Sequence, residues 1–563
     1  MKNTEYMYVD GIPVAINGEK NMLQVIRKTG VKLPTFCYHT DLSIYGACRM
    51  CMVEDERGNL YTACSTPPRA GMSIKTNTAR LRKYRKNILE LLLANHCRDC
   101  TTCSNNKSCK LQDLAVRFNI EGVRFPNRAD DNKVTNSSAS IVFDSGKCIL
   151  CGDCVRTCHE VQNVGAIDFA FRGSKMLIST AFGKPLSETM CVGCGQCAVA
   201  CPTGAITARS EIQKVWDAIS NPSVKTVVQV APAVRVALGN MVGIPEGKDV
   251  SGLIFAALRK MGFDEVFDTS FGADITVLEE SKEFLERLKE GKRLPIITSC
   301  CPAWIQYCEK KHPELMENVS TCRSPMEMFA SVIKEERQER GKKLFHVAVM
   351  PCTAKKFEAQ REEFLGKDGS RNVDAVITTD ELTHMLKEAG ILLNEIDPEP
   401  VDHPYDNASG AAVIFGVTGG VTEAVLRNVV KDKSRSALMK LSNVGERGNE
   451  GLKIFELTTE DGVGLRIGVA SGLANAEKLL DMLKNGEEFD IIEIMACPGG
   501  CVAGGGQPFV HAEVRKTRGK GLYDTDRMLS IRHSESNASV QALYDRLLKG
   551  REHELLHVHY KKK

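Results

Sequence analysis

The sequence contains no apolar run that approaches the ~18 residues of a membrane-spanning helix, so we expect no membrane insertion. Residues 1–15 carry Asp10 and Gly11 where a secretory signal peptide would need an apolar stretch, which predicts a cytoplasmic protein. There is little excess charge either, because 74 Lys and Arg stand against 71 Asp and Glu, for a net charge of +3. This balance argues against a broad surface that binds nucleic acid.

Cysteine, in contrast, is abundant. The 563 residues are too many for one hydrophobic core, so several domains are expected. The 23 cysteines are too sparse for the disulfide framework of a small secreted domain, and in a cytoplasmic chain such cysteines more often bind metal. Sixteen of them lie in four blocks within the first 201 residues, and the other seven are widely separated. This change in composition predicts a domain boundary near residue 210.

The third and fourth blocks share the spacing C-x2-C-x2-C-x3-C, which is that of bacterial ferredoxins with two 4Fe–4S clusters. In those proteins the fourth cysteine of each block ligates the other cluster. The predicted ligand sets are therefore Cys148, Cys151, Cys154 and Cys201 for one cluster, and Cys191, Cys194, Cys197 and Cys158 for the other. Zinc competes for any C-x2-C pair, but two matching sets of four cysteines disfavour it.

The first block has the spacing C-x10-C-x2-C-x12-C and follows a predicted β-hairpin whose turn is Asp10-Gly11. Three close cysteines and a distant fourth in a small β-rich domain indicate a 2Fe–2S site. The spacing resembles that of plant-type 2Fe–2S domains, especially the version in the large peripheral iron–sulfur subunit of complex I. Structural zinc remains the alternative. The candidate ligands are Cys37, Cys48, Cys51 and Cys64.

The second block follows a predicted helix that places Leu81, Tyr84, Ile88 and Leu92 on one face. Its pattern, H-x3-C-x2-C-x5-C, resembles the 4Fe–4S site of the same complex I subunit, which is held by one histidine and three cysteines. A neutral imidazole in place of an anionic thiolate should raise the potential of that cluster. Zinc is again the alternative, and Cys97 is expected to bind nothing. The candidate ligands are His96, Cys100, Cys103 and Cys109.

From about residue 226 onward, short apolar runs alternate with helical segments, which is typical of an α/β domain with mainly parallel strands. The predicted strands are 227–230, 295–297, 347–349, 376–377, 413–415, 467–469 and 491–494, and predicted helices include 251–261, 275–288 and 475–483. The later cysteines follow three of these strands, at the carboxyl ends where open α/β sheets build their sites. The nearby glycines of 499–506 let backbone wrap closely around a group. Four thiolates there predict a fourth 4Fe–4S cluster and five iron–sulfur sites in all.

Three segments of this domain resemble the signature segments of FeFe hydrogenases. They are 298–304 (TSCCPAW), 350–358 (MPCTAKKFE) and 493–508 (EIMACPGGCVAGGGQP), and the N-terminal modules match the large clostridial form with four accessory clusters. The resemblance implies an H-cluster, that is, a 4Fe–4S cubane joined to a two-iron subcluster that carries CO, cyanide and an azadithiolate. It also implies hydrogenase maturation proteins as partners. The implied cubane ligands are Cys301, Cys352, Cys497 and Cys501, with Cys501 as the bridge to the subcluster.

The same resemblance assigns further residues to the cofactor. Lys355 would donate to a cyanide, and Met350 and Met495 would pack around the cofactor as soft apolar neighbours. Pro232 and Ala233 would lie beside it. Clostridial relatives can carry serine at the position of Ala233, which leaves one cofactor hydrogen bond open but not the chemistry.

Cys300 has a different expected role from its neighbour Cys301. Adjacent side chains on an extended segment point in opposite directions, so the two cannot easily share one cubane. The resemblance makes Cys300 a proton shuttle, followed by Glu280, Ser320 and Glu283, with Arg287 near the exit. From periodicity alone, the three charged residues of this helix would instead form a solvated face.

These observations predict a multidomain fold: a β-grasp 2Fe–2S domain (1–79), a small 4Fe–4S domain with one histidine and three cysteine ligands (80–125), a ferredoxin-like domain with two 4Fe–4S clusters (138–210), and a large α/β domain with mainly parallel sheets that holds the H-cluster (222–563). The implied activity is the reversible interconversion of H2 with two protons and two electrons. The sequence has neither a G-x-G-x-x-G nor a Walker loop, so use of NAD(P)H would need a flavin-bearing iron–sulfur partner subunit, and ferredoxin is the other expected partner. The alternatives are a hydrogen sensor and an electron-transfer subunit of a complex I-like assembly.

Overall fold

A computed structural model describes residues 5–128, 135–337, 342–366, 368–430, 451–458, 462–508 and 512–560. The outermost residues of the predicted 1–79 and 222–563 domains, 1–4 and 561–563, lie outside these ranges. Within the described ranges, no helix has the length and apolar character that crossing a membrane requires.

The N-terminal domain is a mixed sheet with one short helix packed on it, in the strand order β2-β1-β5-β3-β4. The Asp10-Gly11 hairpin is confirmed, because β1 pairs antiparallel with β2 and both turn residues have positive φ, 51° and 86°. The side chain of Asn21 caps the helix by accepting from the backbone N–H of Gln24. The elements are β1 (Tyr6–Val9), β2 (Ile12–Ala15), α1 (Met22–Arg27), β3 (Met52–Asp55), β4 (Leu60–Thr62) and β5 (Ser73–Lys75).

The second segment consists of α2 (Ala79–Ala94) and α3 (Lys110–Arg117) with the His/Cys block between them. The predicted helix is confirmed, but its buried face differs from the predicted one. Leu81 and Leu89 are buried, whereas Tyr84 is exposed and Arg85 is buried, donating to two backbone carbonyls of the 2Fe–2S domain. The buried face of α2 therefore includes Arg85, whose charge is satisfied by backbone carbonyls, and not the apolar ring of Tyr84 that the sequence pattern predicted.

The third segment has the internal repeat expected of a two-cluster ferredoxin. Each half contributes a short helix that begins directly after a glycine with positive φ, Gly152 in the first and Gly195 in the second. One sheet has the order β10-β7-β6, and β8 pairs with β9. The elements are β6 (Thr135–Ser137), β7 (Ile141–Asp144), α4 (Asp153–Arg156), β8 (Asp168–Ala170), β9 (Leu177–Ser179), α5 (Gln196–Ala200) and β10 (Ile206–Ala208).

The C-terminal domain contains two four-stranded sheets. The order β12-β11-β14-β15 is entirely parallel, and in β13-β18-β17-β16 the edge strand β16 alone runs antiparallel to its neighbour. The strands are β11 (Val224–Val230), β12 (Glu265–Asp268), β13 (Ile296–Ile297), β14 (Lys343–Met350), β15 (Ala375–Thr378), β16 (Leu452–Thr458), β17 (Gly464–Ser471) and β18 (Ile491–Met495).

Helices cover both sheets. They are α6 (Ile212–Ile219), α7 (Pro232–Arg235), α8 (Ser251–Met261), α9 (Ser270–Glu290), α10 (Pro302–Lys311), α11 (Pro325–Glu336), α12 (Ala354–Glu358), α13 (Thr379–Glu388), α14 (Gly410–Val413), α15 (Gly420–Val429), α16 (Leu473–Lys484), α17 (Ala512–Met528), α18 (Ala538–Leu543) and α19 (Glu552–Leu556). The predicted strand at 413–415 is wrong, because Val413 ends α14 and 414–416 form a 3-10 turn. A buried apolar run of three residues fits a helix as well as a strand.

Candidate active site

A cavity lies where strands of the two C-terminal sheets end. The space between protein atoms there, open solvent included, is about 770 Å³. Cys300 and Cys301 reach it from the loop after β13, Cys352 from the loop after β14, and Cys497 and Cys501 from the loop after β18. The sequence placed these cysteines at strand ends, and the structure brings all five to one place, although the strands belong to two sheets rather than one.

Two glycines make the close packing of these loops possible. Gly500 has φ +92°, and a Cβ there would lie 2.6 Å from the backbone nitrogen of Thr418. A Cβ on Gly504 would lie 2.1 Å from the carbonyl oxygen of Pro351, the residue before Cys352. A larger residue at Gly504 would push the loops of Cys352 and Cys501 apart, and one at Gly500 would push the Cys501 loop away from the segment around Thr418.

The chemistry of the donors fits an iron–sulfur cluster. Cys301, Cys352, Cys497 and Cys501 face a space whose other walls are nearly all apolar. Burial, together with the nearby Cys301, raises the pKa of the Cys352 thiol to about 11, and burial raises the pKa of Cys497 well above its usual range. Converging thiols this hard to ionise are costly as thiolates unless a metal takes the place of their protons.

Lys355 provides a positive charge at the wall of this cavity. Its ammonium donates to the buried carboxylate of Glu358 at 2.6 Å and to the backbone carbonyl of Cys300 at 3.4 Å. Burial by itself would lower the pKa of Lys355, but the charge of Glu358, the hydrogen bond to it and the nearby Cys352 and Cys300 together outweigh burial and raise the pKa. A cation held in this way suits an anionic ligand. Met350, Met495, Pro232 and Ala233 also line the cavity, and the amide of Gln507 donates to the carbonyl of Ala233 at 2.9 Å.

Cys300 lies at the end of the cavity next to the buried face of α9. Glu280 projects from that face, and its carboxyl is close enough that, after burial, it contributes most to the raised pKa of Cys300. Both carboxyl oxygens of Glu280 are buried without a hydrogen-bond partner among the described residues. Burial and the neighbouring charge of Glu283 raise the pKa of Glu280 to about 8, so its carboxyl holds a proton at neutral pH.

The next groups are held by a dense set of hydrogen bonds. The hydroxyl of Ser320 donates to Glu283 Oε2 at 2.9 Å, and the Arg287 guanidinium donates to Glu283 Oε1 at 2.5 Å. This face of α9 is therefore not a solvated charged face. Arg287 differs from its expected place near the exit, because it is only 1% exposed and also donates to three backbone carbonyls.

Comparison with known proteins identifies the chain. Residues 224–505 match the model for the iron only hydrogenase large subunit, C-terminal domain, and residues 512–563 match the model for the iron hydrogenase small subunit. The chain is 40% identical to the NADP-reducing hydrogenase subunit HndD of Solidesulfovibrio fructosivorans, over 99% of this chain and 98% of that protein. It is 34% identical to iron hydrogenase 1 of Clostridium pasteurianum, over 98% and 99%.

The chain belongs to the iron-only hydrogenase family.

The solved structures agree. A variant of FeFe-hydrogenase HydA1 from Chlamydomonas reinhardtii is 38% identical, with a TM-score of 0.52, and covers 62% of this chain and 99% of its own. The remaining N-terminal part of this hydrogenase matches three iron–sulfur models: a 2Fe–2S cluster binding domain at 6–79, the NADH-ubiquinone oxidoreductase-G iron–sulfur binding region at 85–124, and a 4Fe–4S dicluster domain at 147–205. The protein is thus an oxidoreductase that acts on H2 and carries accessory iron–sulfur domains.

The cysteines of the two ferredoxin-like blocks lie in the two groups that their spacing predicts. One small cavity is lined by Cys148, Cys151, Cys154 and Cys201, and another by Cys158, Cys191 and Cys197. The exchange of the fourth cysteine between the two blocks is therefore present in the folded chain. Burial is the main cause of the raised pKa of Cys194, and the neighbouring Cys191 and Cys158 raise it further.

In each of the two N-terminal blocks, several of the candidate ligands lie close together. In the first, the backbone N–H of Cys48 donates to the sulfur of Cys37 at 3.3 Å. The nearby Cys51, together with burial, raises the pKa of the Cys64 thiol, and Cys37 and Cys48 add to this. In the second, Cys103 and Cys100 both contribute to the raised pKa of Cys109, after burial. His96 is 5% exposed, and its Nε2 has no hydrogen-bond partner among the described residues. A buried ring nitrogen left unpartnered fits a metal ligand.

Some residues at the site were not found from the sequence. Glu358 lies in the segment 350–358, and the one signal that it pairs with Lys355 is its position one helical turn later. His557 and Glu279 lie beside Glu283, yet His557 is 274 residues further along the chain than Glu283, and spacing gives no signal over such a distance.

Proposed function

We propose that this hydrogenase interconverts H2 with two protons and two electrons at an H-cluster held by Cys301, Cys352, Cys497 and Cys501. The observation that supports this most directly is the cavity itself, where those four thiols share a nearly apolar space with a fifth, Cys300, that faces Glu280 instead. The cubane, the two-iron subcluster and its CO, cyanide and azadithiolate ligands belong to this proposal, as does the bridging role of Cys501.

The bound cofactor would supply the redox-active metal at which H2 is formed or cleaved. The chain's own part is to move protons and exclude water. In the direction of H2 formation, Cys300 gives its thiol proton to the cavity and regains one from Glu280, which is neutral because of its raised pKa. The Ser320 hydroxyl and Glu283 then replace the proton on Glu280. Lys355, which is paired with Glu358, would hold an anionic ligand of the cofactor in place.

Electrons would travel through one 2Fe–2S and three 4Fe–4S clusters. One hydrophobic cluster contains Cys37 of the 2Fe–2S site, Cys109 of the His/Cys site and Cys151 of the first ferredoxin site. Electrons from the 2Fe–2S site and from the His/Cys site would therefore meet at the first ferredoxin site. The second ferredoxin site adjoins the cavity, because the hydroxyl of Thr353, next to Cys352, donates to the carbonyl of Gly193 at 2.7 Å. This order predicts a branched path that converges before it reaches the H-cluster.

The external electron carrier is proposed to be ferredoxin or a flavin-bearing, NAD(P)-linked iron–sulfur subunit. The name of the HndD relative, an NADP-reducing hydrogenase subunit, supports the second, and the lack of a dinucleotide motif in this chain requires a partner for it. Hydrogenase maturation proteins are the other proposed partners. Purification from the native host, followed by a test for co-eluting flavin subunits, decides between the two carriers.

A pair of substitutions tests the site. Cys300→Ala should keep the full iron content and the CO and cyanide infrared bands but lose most H2 evolution and uptake, roughly 100-fold or more, because alanine cannot pass a proton. Cys301→Ala should instead lose cubane iron, because it removes a ligand. Cys308, a buried thiol whose Sγ contacts the carbonyl of His312, serves as the matched control, and its alanine variant should stay active. Near-normal turnover in fully loaded Cys300→Ala would contradict the proton role and favour a structural one.

A further inference from the structure

The proton path needs an outlet beyond Glu283, and Arg287 does not provide one. A guanidinium keeps its protons at any pH that a protein tolerates, so it cannot take up and release them. Arg287 is also buried, and its two terminal nitrogens are engaged by Glu283 and by backbone carbonyls. Its contacts fix the position of Glu283 rather than extend the relay.

Another titratable group reaches Glu283 from the C-terminal segment. A carboxylate oxygen of Glu283, the sulfur of Cys322 and a ring nitrogen of His557 all lie within 4.8 Å of one another, and all three residues are buried. His557 follows α19, the last helix that the structure describes, and lies next to α9 through a bond between its Nε2 and Glu279 Oε2 of 3.0 Å. The other ring nitrogen, Nδ1, lies 2.8 Å from the hydroxyl of Thr321, whose backbone N–H donates to both oxygens of Glu283.

The hydrogen bonds assign the tautomer of His557. Burial would raise the pKa of Glu279, but hydrogen bonds from His557 and from Tyr544 (2.5 Å) outweigh burial and hold it below its usual range. An ionised carboxylate only accepts, so Nε2 of His557 carries a proton, and Nδ1 accepts from the Thr321 hydroxyl with the lone pair that can take up a proton. A carboxylate that faces one nitrogen of an imidazole stabilises the imidazolium formed when the other nitrogen is protonated.

His557 also has a neighbour in contact with solvent. The ring of His553, one turn earlier on α19, lies over the ring of His557 with the centroids 4.7 Å apart and the planes at 41°. His553 is exposed, whereas His557 is 7% exposed. The pair therefore connects the buried surroundings of Glu283 to bulk water within one helical turn.

We propose that His557 and His553 form the outlet of the proton path, so that protons pass between Glu283 and solvent through these two imidazoles. In the direction of H2 oxidation, Glu283 loses a proton to Nδ1 of His557, which becomes an imidazolium opposite the Glu279 carboxylate. The imidazolium then releases one proton to His553 or to water beside it and returns to the neutral form. One proton moves and no electron does. The inference rests on the proposed function of the Cys300 path.

Several titratable and charged groups surround His557. Glu279 and Glu283 face it from α9, and Cys322 from the segment before α11. Tyr544 reaches it through Glu279, His553 faces it from its own helix, and the guanidinium of Arg323 donates to its backbone carbonyl at 2.9 Å.

The test uses the fully loaded holoenzyme and the solvent deuterium isotope effect on dye-linked H2 turnover. His557→Gln keeps a polar side chain but cannot carry a proton, so turnover should fall roughly tenfold or more and the isotope effect should rise, because proton exit becomes rate-limiting. His559→Gln, an exposed histidine two residues later, is the matched control and should change neither. Iron content and infrared bands should match those of the unmodified protein in both variants.

Two results would overturn the outlet. One is turnover of His557→Gln within twofold of the unmodified hydrogenase. The other is a loss of turnover with an unchanged isotope effect, which a purely packing role would give. If His557→Gln does not load its clusters, His553→Gln decides at an exposed position: turnover should fall about twofold with a raised isotope effect, and an unchanged isotope effect contradicts the proposal. Failure of the proposed function would appear differently, as absence of H2 turnover in the unmodified protein.

Discussion

Two ionisable side chains beside the cavity show how partners decide charge in the same low-dielectric surroundings. Lys355 is buried but paired with Glu358, so it stays a cation. Glu280 is equally buried, has no hydrogen-bond partner among the described residues, and keeps its proton to about pH 8. A fixed charge suits the binding of an anionic ligand, whereas a group that titrates near neutral pH suits a relay.

Glu280→Gln tests the second of these roles through activity and stability. Turnover should fall roughly 100-fold, because an amide cannot pass the proton. The folded pKa of Glu280 is raised from 4.5 to about 8, so the cost of its burial grows as pH rises through this window and is complete above it. The glutamine variant should therefore melt at nearly the same temperature as the unmodified protein at pH 4.5. At pH 9 it should melt at a higher temperature, with a free energy of unfolding larger by on the order of a few kcal/mol.

Glu286→Gln is the matched control for that comparison, since Glu286 lies on α9 but is exposed. It should leave turnover and the pH dependence of melting unchanged. A melting difference between Glu280→Gln and the unmodified protein that stays constant from pH 4.5 to pH 9 would show that Glu280 is not held protonated by the fold.

At the scale of the element, loops rather than helices or strands carry the electron route into the cavity. A Cβ on Gly505 would lie 2.2 Å from the carbonyl oxygen of Cys194, and a Cβ on Gly195 would lie 2.3 Å from the hydroxyl of Thr353. Backbone from the ferredoxin domain therefore touches backbone from the loop that carries Cys501. Glycine at these positions keeps the second ferredoxin site and the cavity at their closest approach.

Gly505→Ala should separate these loops. Because the obstructing atom is backbone, one loop must move, which should cost roughly 1–3 kcal/mol of stability and slow dye-linked turnover while the iron content stays intact. Gly519→Ala is the control, because a Cβ there meets only Val417 Cγ1 at an ordinary 3.5 Å. Equal melting temperatures and turnover for the two variants would contradict a close contact at Gly505.

Sequence patterns predicted the elements that carry a strong local signal. The grouping of the ferredoxin-type cysteines, the Asp10-Gly11 turn and the helix 251–261 were predictable because each depends on neighbours along the chain. The strand β12 was missed, since Glu265–Asp268 alternates too little to be recognised. Likewise, nothing local indicates that α9 is buried on its charged side, because its partners there come from segments around Ser320 and His557.

At the scale of the whole molecule, the proposed ligand groups would form five iron–sulfur sites. One 2Fe–2S, three 4Fe–4S and a six-iron H-cluster give about twenty iron atoms per chain in the fully matured hydrogenase. Protein made without the maturation enzymes should keep the cubanes, lack the two-iron subcluster and be inactive. Elemental analysis checks this, and stoichiometric zinc with about half the expected iron would contradict the assignment of the sites.

The position of His96 at the periphery gives the last prediction. Its unpartnered Nε2 lies in the small second domain, and the Lys110 N–H of that domain donates to the carbonyl of Pro202 in the ferredoxin domain at 3.0 Å. His96→Cys should keep the cluster but lower its potential, because a thiolate adds negative charge where the imidazole is neutral. A potentiometric titration followed by electron paramagnetic resonance measures the shift, and Cys97→Ser, at the adjacent thiol, should leave the potential unchanged. Turnover with a dye that reaches the inner clusters should change little, since the electrons need not pass this site. Loss of dye-linked activity with all clusters present would place His96 on the only route to the cavity and not on a branch.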